Sequence, residues 1–235
     1  MKTYRSTATI VGVLYIVGTV AGVLSVVFTG PTVNAPDVLR QVSATRPQIV
    51  VGGLFVLLMG FALALIPVLV FPILKRYNEP LALGYVVFRG ALETAMYIVT
   101  AISLLLLIPL SQEYLNAGAP AASHFQTLSA LLRSLGELPL LVVVFSLGAL
   151  IFYYLLYQSQ LVPRWISVWG FIAIALHLAT GLLIILGLQT SFDTANSIMN
   201  LPIFLQEMVM AVWLIVKGFD RAAIASLFAK AELTN

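Results

Sequence analysis

Tyr85-Val86-Val87-Phe88-Arg89-Gly90-Ala91-Leu92-Glu93-Thr94-Ala95-Met96-Tyr97-Ile98-Val99-Thr100 places an arginine and a glutamate inside an apolar run long enough to cross a bilayer. An ionised side chain at membrane depth costs about 2.5 to 3.5 kcal/mol even on the lenient insertion scale. Arg89 and Glu93 therefore need each other and further polar partners. Their i,i+4 spacing puts both on one helix face.

The surrounding composition agrees with a membrane setting. Hydrophobic residues make up 61% of 235 positions and charged residues 9%, far below the roughly 25% charged of a soluble domain. The reading is an all-α polytopic membrane protein, one membrane-embedded domain over residues 1–235, because no polar segment is long enough to fold alone. The net charge of +3 is small, and the cations sit at the ends of apolar runs without interleaved aromatics, which argues against a nucleic-acid surface. The absence of cysteine removes disulfides, thiolate metal sites, cysteine nucleophiles and palmitoylation together.

Outward from the central stretch, the third span covers about 81–108. The short turn Lys75-Arg76-Tyr77-Asn78-Glu79-Pro80 makes it antiparallel to a second span at about 49–74, thinned by Gly52, Gly53 and Gly60 and bent by Pro67 and Pro72. The first span, about 8–28, follows Lys2 and Arg5. It exceeds the roughly 7 to 15 apolar residues of a secretory signal, so it is expected to stay uncleaved, although Val33-Asn34-Ala35 loosely imitates a cleavage site. Gly18 and Gly22, with Gly12 on the same helix, offer a small-residue face for packing inside the bundle or, alternatively, against a second copy. Pro36-Asp37 before Val38, Leu39 and Val42 predicts a short helix, and Pro109 to Ser134 a long, more polar connection with a surface helix.

Three more spans follow at about 137–157, 165–188 and 201–218. Tyr153, Tyr154 and Tyr157 read as an interfacial aromatic anchor. Six spans bring both termini to one side. Lys2, Arg5, Lys75, Arg76, Arg164, Lys217, Arg221 and Lys230 share that side against Arg40, Arg46 and Arg133 on the other, which makes it cytoplasmic.

Counting a rise of about 1.5 Å per residue from the cytoplasmic ends, Arg89 lies about 12 Å deep, Glu93 and His177 about 18 Å, and Glu207 about 15 Å. Arg89, Glu93, His177 and Glu207 are thus candidates for one ligand-binding or proton-handling centre on three helices. Thr94 and Tyr97 are secondary candidates, as donors to the carboxylates; Arg133 and Glu137 are a further pair near the other end of the bundle. Two carboxylates sharing one site suit a proton carrier, whereas Arg89 suits an anionic head group. A network that only fixes helix register is the bland alternative. A metal held by His177, Glu93 and Glu207 is the remotest, and no metal or cofactor is assigned. Neither Ser103 nor Ser146 has a nucleophile-elbow frame.

Several stretches resemble a known family: Gly12-Val13-Leu14-Tyr15 and Gly18-Thr19-Val20-Ala21-Gly22; Phe88-Arg89 with Glu93; Tyr157-Gln158-Ser159-Gln160-Leu161-Val162-Pro163-Arg164-Trp165; and Glu207 with Trp213-Leu214-Ile215-Val216-Lys217-Gly218-Phe219. Over nearly its whole length the chain resembles the bacterial six-span family called domain of unknown function 4386. The resemblance implies an integral protein of the bacterial cytoplasmic membrane and supplies no activity, cofactor or catalytic residue.

The expectation from the residues is a non-enzymatic protein, partnered by membrane lipids, that binds or moves a small polar or amphiphilic molecule at the charged centre. An intramembrane enzyme acting on a lipid or isoprenoid, and a structural or lipid-binding subunit, are the alternatives.

Overall fold

A computed structural model describes residues 2–117, 122–136, 140–188 and 194–232. Among them there is no strand. Helix α1 (Lys2–Val33) is followed by the short α2 (Val38–Ala44) and the long α3 (Arg46–Tyr85). A π-helical segment, Val86–Leu92, leads straight into α4 (Glu93–Ala117). Then come α5 (Ala122–Gly136), α6 (Leu140–Ser159), α7 (Arg164–Ile185), α8 (Thr194–Val216) and α9 (Arg221–Glu232). Five helical stretches among the described residues are long and apolar enough to cross a membrane, one of them the whole run Arg46–Ala117.

That run contains the expected second and third spans. The turn expected between them is reduced to one non-helical residue, Asn78, at φ −156 and ψ 104. Its Oδ1 accepts a bond of 3.0 Å from the Leu81 amide, so Asn78 caps the helix that restarts after it. Pro80 falls in that first turn, where a missing N–H costs little. Pro67 and Pro72 remain inside α3.

The chain divides into two compact units. The first comprises Met1–Ile16, Ala62–Thr94 and Pro139–Asn235. In it α6 packs on α7 and on the π segment, and α7 packs on α8. Association of helices in lipid depends on close packing, since the tails are as apolar as the side chains. Gly170 shows this directly: a Cβ there would lie 2.7 Å from the Tyr153 ring. Tyr153 is itself buried, not part of an exposed aromatic belt as its neighbourhood suggested, while Tyr154 is exposed. The link from α8 to α9 is anchored from below. Arg5 donates to the carbonyls of Ile215 at 2.7 Å and Val216 at 2.9 Å, which α8 leaves open at its end. Gly218 turns the chain with φ 77, and Asp220 then caps α9 through the Ala223 amide at 2.8 Å.

The second unit comprises Val17–Phe61 and Ala95–Leu138. Val38, Val42, Ile49, Leu107 and Ile108 form its buried cluster. The expected short helix is present as α2, but Pro36 precedes it rather than standing in its first turn: Asp37 is the cap, accepting from the Arg40 amide at 3.2 Å. Gly22 lies against Met59 and Gly18 is buried, so this small-residue face takes part in packing within the chain. The connection predicted from Pro109 onward is mostly helical. Helix α4 continues through Pro109 to Ala117, with Gln112, Glu113 and Asn116 exposed.

Candidate charged site

Arg89 stands on the π segment. At the end of that segment the Glu93 amide donates to the carbonyl of Phe88, five residues back, which inserts one extra residue into the turn. Helix α6 approaches closely because Gly148 has no side chain; a Cβ there would lie 3.2 Å from the Arg89 amide nitrogen.

The guanidinium then meets two carboxylates. Nη1 donates to both oxygens of Glu93, at 3.0 and 3.1 Å, and Nη2 to Glu207 Oε1 at 3.2 Å. Phe145 lies 4.6 Å and Tyr15 5.9 Å from the guanidinium carbon, placing π-electron density near the cation. Side-chain exposure is 2% for Arg89, 1% for Glu93 and 15% for Glu207, so Glu207 is the least buried of the three. With all three ionised, the triad would carry one surplus negative charge, which a proton on either carboxylate would remove.

A neutral polar line leads along α8. Asn196, Asn200 and Glu207 fall on one side of the helix over about 16 Å. Asn200 Nδ2 donates to Asn196 Oδ1 at 3.0 Å, and Asn200 Oδ1 lies 2.6 Å from His177 Nδ1. An amide oxygen only accepts, so the imidazole donates from Nδ1. The hydroxyl of Thr180 bonds the His177 carbonyl at 2.7 Å. Phe145 stands between His177 and the triad, its ring 4.9 Å from the imidazole and 4.6 Å from the Arg89 guanidinium carbon.

Of the residues expected at this centre, Arg89, Glu93 and Glu207 come together directly, and His177 stands one aromatic ring away. Thr94 is half-buried beside Glu93, and Tyr97 belongs to the second unit, where its ring lies against Gly60. Also in the second unit, Arg133 donates to the Val33 carbonyl at 2.8 Å, at the end of α1. Glu137 lies outside the described residues. Among the described residues no group of three or more histidines and carboxylates could hold a metal ion.

Sequence reading missed Gln206. Its side chain is fully buried, accepting from the Tyr153 hydroxyl at 2.7 Å and donating to the Ile166 carbonyl at 3.1 Å, so it ties α8 to α6 and α7. Asn196 and Asn200 were missed as well. Their four-residue spacing ahead of Glu207 was the available signal.

Comparison with known proteins adds one finding: the sequence model of the family described as Domain of unknown function (DUF4386) matches residues 10–218. No curated protein and no solved structure matches the chain.

Proposed function

From the premise that the chain belongs to the DUF4386 family, for which no activity is described, we propose on the site itself that this protein binds a small polar or amphiphilic molecule at the Arg89 centre and passes it along the α7–α8 seam. The observation that carries this reading is that two carboxylates converge on one guanidinium, and that the second of them, Glu207, stands on the same side of α8 as Asn196 and Asn200. The setting that goes with this reading is six spans in a bacterial cytoplasmic membrane, one embedded domain, and both termini in the cytoplasm, as the lysine and arginine imbalance favours.

A water-soluble carbodiimide with glycine ethyl ester tests access to the centre in reconstituted vesicles. Glu207 is expected to be labelled, Glu93 to be spared, and Asn200→Leu to reduce labelling of Glu207 without changing that of the exposed Glu79 and Glu113. A Glu207 that stays unmodified while Glu79 and Glu113 react would mean a sealed, purely structural ion cluster.

A further inference from the structure

A second feature of the first unit lies apart from the triad. A groove of about 1040 Å³ opens where the link from α6 to α7 meets the link from α8 to α9, and its walls include Arg164, Lys217 and Arg221. The two links are held together by the Asp220 amide, which donates to the Leu161 carbonyl at 2.9 Å. Asp220 is also the single carboxylate on the wall, and its Oδ1 is engaged in capping α9. Arg164 rests on the Tyr157 ring at 5.1 Å, which leaves the N–H groups of its guanidinium edge for a ligand. Neither Lys217 nor Arg221 has an ion-pair partner among the described residues. Ser159, 7% exposed and with its hydroxyl unpartnered, lies in the same wall.

Three cations against one carboxylate leave the groove with a surplus of positive charge. The fork of an arginine matches phosphate oxygens, and the ammonium of a lysine supplies a movable point charge. Trp213 and Leu161 add apolar wall beside these cations, which suits an ester carrying a carbon skeleton better than a bare inorganic ion.

We infer that this groove is a binding site for a phosphate ester, either the head group of an anionic lipid or a soluble ester of the same chemistry. The site is separate from the Arg89 centre and does not depend on what that centre does.

The test uses full-length protein in detergent, titrated with phosphatidylglycerol and with phosphatidylcholine and read by native mass spectrometry. Phosphatidylglycerol is expected to be retained preferentially, and Lys217→Gln and Arg221→Gln each to weaken it about fivefold. Both side chains are exposed, so neither change threatens folding. Arg40→Gln, at an exposed cation elsewhere, is expected to leave retention unchanged. A second arm adds sn-glycerol 3-phosphate. Displacement of the lipid by it supports a site that reads the phosphate ester alone; lack of displacement, with lipid retention still lost in the two variants, supports a head-group site that also needs the lipid tails. Retention unchanged in Lys217→Gln and Arg221→Gln, or reduced equally by Arg40→Gln, would overturn the assignment.

Discussion

Neutralising the three charges of the triad one at a time is expected to produce three different losses of stability. Arg89→Gln leaves two carboxylates close together with no counter-charge in a dry site; breaking a buried pair in this way costs about 3 to 5 kcal/mol. Glu93→Gln removes charge assistance from two bonds at 3.0 and 3.1 Å in a side chain 1% exposed. Bonds to charged groups are worth about 1.5 to 3 kcal/mol, and the new amide oxygen retains part of one, so the loss is about 2 to 4 kcal/mol. Glu207→Gln removes a single bond at 3.2 Å from a group 15% exposed and also relieves the surplus negative charge. Its cost is about 1 kcal/mol or less. On a scale of about 2 to 4 °C per kcal/mol for a chain of this size, Arg89→Gln lowers the melting temperature by roughly 10 °C and Glu207→Gln by no more than about 4 °C. Thermal unfolding of detergent-extracted protein, followed by size-exclusion chromatography after heating, measures the order. If Glu207→Gln proved as damaging as Glu93→Gln, or Arg89→Gln the mildest of the three, the account of unequal burial and surplus charge would be wrong.

Two further changes examine the scaffold. Asn78→Ala removes the cap on the Leu81 amide and is expected to cost about 0.5 to 2 kcal/mol, readable as a lower melting temperature, with Asn78→Asp retaining most of the stability. Gly170→Leu drives a side chain into the Tyr153 ring, so overpacking by about 1 to 3 kcal/mol is expected together with loss of the Tyr153 to Gln206 bond, seen as faster trypsin cleavage at Arg164.

Much of the helical plan was legible because its signals are local. Asp37 after Pro36 announces α2, and the polar turn around Asn78 announces the break in the long run, since capping needs only a side chain within reach of the next few amides. The pairing of Arg89 with Glu93 was legible for the same reason, four residues being one helical turn. Glu207 was a candidate from energetics and depth, because a charge among apolar residues needs a partner, but the sequence did not say which partner. Rise along a helix, however, gives depth and not direction. That is why His177 was placed at the level of the triad while its ring turns to Asn200. Tyr153 at the end of an apolar run resembles an anchor in sequence, and only the neighbouring Gln206 and Gly170 make it a buried one.

Composition and spacing by themselves determined that this chain is helical and apolar, where its helices break, and that Arg89 and Glu93 share a face, because each rests on energies within a turn or on the cost of burying charge. Tertiary structure decided that Glu207 completes the triad, that Gln206 locks three helices, that the backbone takes a π turn at Arg89, and that Arg164, Lys217 and Arg221 line one groove. Apart from the π turn, these bring together residues tens to more than a hundred positions apart, chosen by how helices rotate and pack against one another, and a linear pattern carries no term for that rotation.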